Sequence, residues 1–284
     1  CLKSATAVST TTSSQRDYLV ERGVDARSVF VLPNGVPASV IAQLDRLNEQ
    51  VRESRDVGRP PRVVYAGLLG FPQGLEFAIE AMAPMRELEL HLFGDGVDRQ
   101  RLERRCAEEK LHHIVFHGSV PYSEYLEALA EADVLLASLR PEVDSAMPSK
   151  IWEYMAARKP ALFIGRGEAV SVIDEVGAGA CVDYGDRDGL RRVLRDWCRD
   201  PRGMEEIGAR GRAWIGDHRV REDLNREWVE RIEAAFRKPP GAPGPRTRFN
   251  QSTRPRGAGF KPALGRVASI TLTVAERCGL LRVL

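Results

Sequence analysis

Arg62-Val63-Val64-Tyr65-Ala66, running straight into Gly67-Leu68-Leu69-Gly70-Phe71-Pro72-Gln73-Gly74, is the stretch on which the reading of this chain turns. A short apolar run reads as a buried strand. The glycines after it let a loop pass close to whatever lies beyond the strand, before a helix starts near Gly74. The same alternation then repeats. Apolar runs at Leu88 to Phe93, Ile114 to His117, Asp133 to Ala137, Ala161 to Ile164 and Ala180 to Asp183 are separated by helical patterns. Examples are Tyr122, Tyr125, Leu126 and Leu129, or Leu190, Val193, Leu194 and Trp197, each at i, i+3, i+4, i+7. Strands alternating with amphipathic helices in this way predict an α/β fold with an open, doubly wound, Rossmann-like parallel sheet.

Outward from this unit the chain changes character. Upstream, Ala5 to Thr10, a helix around Ser14 to Arg22 ending at Gly23, and Ser28 to Leu32 read as the last β-α-β piece of a preceding α/β domain. Pro33-Asn34-Gly35-Val36-Pro37 is a turn-rich joint, read as a hinge, and Glu53 to Pro61 is a loop. Downstream, Met204 to Gly216 and Val220 to Phe236 are helical, the second with a stripe of Leu224, Trp228, Ile232 and Phe236 that needs a partner surface. Residues 238–266 are rich in Pro, Gly and Arg and cannot bury enough apolar surface to offset their ordering entropy. The expected division is a remnant of an N-terminal domain at 1–35 and the Rossmann-like domain at 36–203. Helices packing back toward the N-terminal part follow at 204–237, then a disordered basic tail at 238–284.

The formal charge of +2 conceals an asymmetry: ten of the 42 Lys/Arg but one of the 40 Asp/Glu fall in 237–284, which leaves 1–236 at −7. An acidic body lacks the basic face with which nucleic-acid binders neutralise phosphates, so no nucleic-acid partner is expected. The longest apolar runs fall far short of the roughly 20 residues that span a bilayer. Five widely spaced cysteines form no CxxC pair and suit a reducing cytosol, where they read as small buried hydrophobes. The sequence opens on Cys1 with no signal-peptide pattern, and reads as a fragment of a cytoplasmic protein.

The most telling residue for chemistry is Lys150, which follows Pro148 and Ser149 at the start of a predicted helix running to Ala156. A cation at a helix N-terminus loses roughly 0.3–1 kcal/mol, so an anion is expected opposite it. Ser149 is read as the N-cap, which would aim backbone N–H groups, the helix dipole and Lys150 at one point. The loops after the strands supply further candidates, because open α/β sheets bind ligands beyond the carboxyl ends of their strands. Gly67, Gly70 and Gly74 would bring amides to a phosphate, whereas Gly94 and Gly96 read equally well as turn residues. Glu153 is either a carboxylate stabilised by the dipole or an acceptor for ligand hydroxyls. His117, Asp95, Asp144 and Glu168 sit in candidate loops but also suit solvated positions, and His112 and His113 read as surface residues without a metal role.

Together these residues resemble the C-terminal, donor-binding domain of retaining GT-B glycosyltransferases, glycosyltransferase family 4 in particular. The resemblance spans roughly 5–236. It rests on ordered elements: Val31 to Pro37, Tyr65 to Gly67 with Gln73-Gly74, Leu92 to Gly96, Phe116 to Pro121, and Pro148 to Ala156 before Lys159-Pro160. It implies that Glu153 hydrogen-bonds the donor ribose, that the loop with Gly67, Gly70, Gln73 and Gly74 faces the pyrophosphate, and that His117, Ser119 and Val120 border the base. Ser149 and Lys150 complete the expected set. The family's first glutamate, separated from the second by seven intervening residues, falls on Ser145 here, and its loop Arg and Lys are replaced near Leu68 and at Gln73.

The implied activity is glycosyl transfer, with retention, from a nucleotide-diphosphate sugar to a glycan or lipid-linked acceptor. The Pro-Ser-Lys form resembles the surface-polysaccharide branch. Fixed N–H dipoles and one lysine can stabilise the leaving diphosphate, so neither metal nor cofactor is expected. Catalytic groups are expected mainly in a preceding domain, which would leave the fragment inactive alone. A sugar-nucleotide epimerase of the same architecture and a non-catalytic sugar-nucleotide-binding module are the alternatives. For the tail, contact with an anionic inner membrane face is weighed against a plain linker.

Overall fold

The computed structural model describes residues 5–54, 58–143 and 146–237. Expectations for Asp144, Ser145, Cys1, Cys278 and the 238–284 tail therefore lie outside the described residues. The first elements are β1 (Val8–Thr10), α1 (Ser13–Glu21) and β2 (Val29–Val31), a parallel strand pair wrapped around one helix. Thr12 caps α1 by accepting the Gln15 N–H at 3.2 Å, which is why the helix begins directly after the strand.

A second sheet has six strands, all parallel: β3 (Arg62–Ala66), β4 (Glu89–Phe93), β5 (Ile114–Gly118), β6 (Val134–Ser138), β7 (Ala161–Ile164) and β8 (Gly179–Val182). Their spatial order is β5-β4-β3-β6-β7-β8. The chain thus winds outward from β3 to one edge, crosses back to β6 beside β3, and winds outward the other way. Val63 and Tyr65 point to one core while Val64 points to the other, and Leu162 and Ile164 oppose Ala161 and Phe163 in the same way. That period of two, with both faces apolar, is what burial on both sides of a parallel sheet requires.

One face is covered by α3 (Leu75–Met82), α4 (Arg99–Glu108) and α8 (Arg187–Arg199). The other is covered by α2 (Ala38–Ser54), α5 (Tyr122–Glu131), α6 (Lys150–Ala156), α7 (Glu168–Val176) and α9 (Pro201–His218). The helix α2 has no counterpart among the expected elements. It buries only Val40, Ile41, Leu44 and the polar Asn48, whose side chain donates to Ala157 O at 2.9 Å. The helix α9 starts earlier than its apolar pattern, because Asp200 caps it by accepting the Gly203 N–H at 2.9 Å and Pro201 needs no partner in the first turn.

The last helix, α10 (Arg221–Arg237), begins against the turn-rich joint. Val36 and Val220 form an isolated parallel bridge, with Val36 N donating to Arg219 O at 2.8 Å and Arg221 N to Val36 O at 2.9 Å. The Arg221 guanidinium adds two bonds to Gly35 O, at 3.1 and 2.9 Å. Leu224, the first member of the expected stripe, lies on Gly35, and Trp228 and Ile232 are half-buried. The side chain of Phe236 is outside the described residues.

Candidate functional site

The carboxyl ends of β3 and β6 lie side by side where the strand order reverses, and such a reversal opens a crevice above the sheet. Into it come the Gly67 to Gly74 loop, from β3, and the start of α6, which follows β6. Tyr154 ties the two together: its hydroxyl accepts the Ala66 N–H at 3.2 Å and lies 3.4 Å from Ala66 O, and its ring is fully buried.

Lys150 is half-buried, its Nζ 3.8 Å from the centre of the Tyr65 ring. A Cβ placed on Gly67 would stand 2.5 Å from that Nζ, so this glycine is needed to make room for the ammonium. Its φ of +144° adds a second requirement, since side-chain-bearing residues rarely adopt it. Burial pushes the Lys150 pKa down to about 7, with the charge of Glu153 pulling the other way. None of the ion pairs among the described residues engages this lysine.

Two expectations about the backbone change here. Ser149 is not a side-chain cap: directly before α6 it already has helical dihedrals, φ −59° and ψ −26°, and its side chain makes no capping hydrogen bond. The loop amides are also less available than the glycine pattern implies. Gly67 N donates to Phe93 O and Leu69 N to Asp95 O, each at 2.9 Å, while Gln73 N and Gly74 N close turns onto Gly70 O and Phe71 O. The amides of Leu68, Gly70 and Phe71 have no partner among the described residues.

The remaining glycines separate by their surroundings. Gly74 is left-handed, and a Cβ there would meet Tyr184 at 2.7 Å and Arg140 at 2.8 Å, whereas Gly70 is extended with ordinary clearance. Gly94 and Gly96 are packing residues, because added Cβ atoms would stand 1.9 Å from Gly67 O and 2.2 Å from Leu69 O. The Gln73 side chain folds back over Gly70, its Oε1 buried with no hydrogen-bond partner among the described residues.

Glu153 lies one turn beyond Lys150 and is half-buried. It accepts the Tyr125 hydroxyl at 2.6 Å and the Tyr122 hydroxyl at 3.2 Å. Both tyrosines open α5, directly after the loop of Ser119 and Val120, and their rings stack at 5.5 Å. Sequence reading placed them in an apolar helix stripe. Their one available signal was position, since two hydroxyl-bearing rings in a first turn can reach a polar partner.

Other polar side chains around the strand ends have partners of their own. His117 stacks on Phe93 at 4.0 Å and its Nε2 lies 2.9 Å from His91 Nδ1, which in turn reaches Glu89 through its other nitrogen. Burial, then His91 and Arg62, lower its pKa. Ser119 is exposed and Val120 half-buried. Arg140 pairs with Glu76 and lies over Phe71, and Arg166 pairs with Asp183 at 2.9 Å. Asp95 accepts the Gly96 N–H at 2.7 Å, Glu168 accepts the Ser14 hydroxyl at 3.0 Å, and His113 contacts Met82 O at 3.1 Å. Of the cysteines, Cys106 is buried and Cys181 and Cys198 are half-buried.

Residues 60–200, the stretch that builds this sheet and crevice, match the family described as glycosyl transferases group 1. The chain is 29% identical over 157 residues to the putative colanic acid biosynthesis glycosyl transferase WcaI of Escherichia coli (strain K12), a match that takes in 52% of this chain and 38% of that protein. Among solved structures it resembles Anabaena Alr3699/HepE in complex with UDP, with a TM-score of 0.68 at 17% identity, covering 81% of this chain and 64% of that one. Sucrose-phosphate synthase from Thermosynechococcus elongatus gives 0.67 at 21% identity, covering 83% and 59%. These likenesses show the GT-B type of fold. The chain spans less than two thirds of the relatives it matches. Among the described residues no helix is long and apolar enough to cross a membrane.

Proposed function

We propose that this chain carries the donor-binding half of a retaining glycosyltransferase of family 4, which moves a sugar from a nucleotide-diphosphate donor to a glycan or lipid-linked acceptor in surface-polysaccharide synthesis. The observation that carries the reading is the Lys150 ammonium, seated against Gly67 at the crevice where the strand order reverses, with Glu153 one turn further along the same helix. The diphosphate would lie against Lys150 and the unbonded amides of Leu68, Gly70 and Phe71, and the ribose against Glu153. As the sugar–phosphate bond lengthens, charge builds on the departing diphosphate, and a cation fixed in a part-dry crevice stabilises it without reorganising. Lys150 supplies that countercharge, so the proposed transfer needs no metal or other cofactor.

The proposed organisation keeps 1–35 as the tail of an acceptor-side domain, with the catalytic groups and acceptor pocket on the preceding part of a longer protein. The group 1 match supports transfer over epimerisation or sensing, and the UDP held by HepE supports a nucleoside-diphosphate ligand. Titration calorimetry with UDP and UDP-glucose tests the site. Lys150→Ala should weaken both by about 1–3 kcal/mol, the range for a hydrogen bond to a charged group. Unchanged affinity would remove Lys150 from the site.

A further inference from the structure

Glu153 does not stand open to a ligand. Its Oε2 accepts the Tyr125 hydroxyl at 2.6 Å and its Oε1 the Tyr122 hydroxyl at 3.2 Å. The two contacts are unlike. The first has the short length of a charge-assisted O–H···O⁻ bond and comes from a half-buried ring, whereas the second is long and comes from a ring that is 53% exposed. A carboxylate offers about four lone-pair sites, so two bonds leave capacity for a ligand.

We propose that Tyr125 is a positioning residue that fixes the Glu153 carboxylate for the ribose hydroxyls, while Tyr122 is a displaceable occupant that fills a ligand hydroxyl's seat until the nucleotide arrives. The inference rests on the reading of Glu153 as the ribose acceptor and adds to it how the site selects a ribonucleotide. A ligand with a vicinal diol can replace the Tyr122 bond and use one of the lone pairs still open. A ligand without hydroxyls must leave Tyr122 in place and gains nothing from Glu153. Burial, and then the charge of Glu153, push the Tyr122 hydroxyl up to about 12 and hold that of Tyr125 above its usual value, so both remain donors at neutral pH. Tyr125 thus keeps donating while the ligand binds, and the ligand competes with Tyr122 alone.

Opposite signs are expected for two substitutions that both contact Glu153. With the full chain, UDP, 2′,3′-dideoxy-UDP and pyrophosphate are titrated into wild type, Tyr125→Phe, Tyr122→Phe and Glu153→Gln, each first checked for an unchanged melting transition. Tyr125→Phe should weaken UDP by about tenfold, and Tyr122→Phe should tighten it by about two- to fivefold, as expected for one hydrogen bond lost or one competitor removed. Dideoxy-UDP and pyrophosphate should move by less than about twofold in both. Glu153→Gln should abolish the preference for UDP over dideoxy-UDP. A preference that survives Glu153→Gln overturns the ribose reading. If Glu153→Gln removes the preference but Tyr125→Phe keeps it, or Tyr122→Phe weakens UDP, the tyrosine roles alone are overturned.

Discussion

Under the proposed reading, Lys150 sets how the site answers to pH. Burial lowers its pKa from 10.5 to about 7, against the opposing charge of Glu153, while in the unfolded chain it stays charged to about 10.4. Folding therefore disfavours its charged form. That penalty is full below about pH 7 and fades as the pH rises toward the unfolded value, because the unfolded chain then binds the extra proton. Binding makes the opposite demand, since a diphosphate calls for the ammonium. UDP-glucose affinity should fall as the pH is raised through about 7, and calorimetry across that window should find the dependence flattened in Lys150→Ala. The place of Lys150 at a helix start was legible in the sequence. Its depressed pKa and the reason for Gly67 were not, because burial and the close approach to the Gly67 backbone come from packing with residues far away in the sequence.

At the level of elements, the five-residue strands could be read from their apolar runs, and most of the helices from their spacing. The helix α2 could not. It offers three buried apolar residues over its 17 positions, and it is tied to the end of α6 by a hydrogen bond from Asn48 to the carbonyl of Ala157. Asn48→Ala should cost about 1–2 kcal/mol in urea unfolding, since it leaves a buried carbonyl without its donor. Loss of that bond should also loosen the end of the helix that carries Lys150 and Glu153. In α5 the helix was foreseen but its use was not: Leu126 and Leu129 are buried as the stripe predicts, while the two tyrosines turn to Glu153. A spacing pattern records which residues share a face, not which neighbour meets it.

For the whole molecule, the joint at Pro33 to Pro37 is the passage from the first strand pair to the main sheet, and residues 219–222 hold it by side-chain and backbone bonds. Arg221→Ala removes both guanidinium bonds to Gly35 O. Hydrogen exchange at the Val36 amide, which is bonded to Arg219 O, should then quicken by about tenfold with the core strands unchanged. By itself the sequence determined the α/β alternation, the order of the glycine-bearing loops and the lysine at the head of α6. Those features are local, written in periods of two and of 3.6 and in residues that end strands or begin helices. The tertiary structure alone decided which amides are already spent, that Lys150 rests on Tyr65 against Gly67, and that two tyrosines close on Glu153. Each of these depends on the sheet order β5-β4-β3-β6-β7-β8, which brings the end of β3 beside the end of β6, and no local period encodes that order.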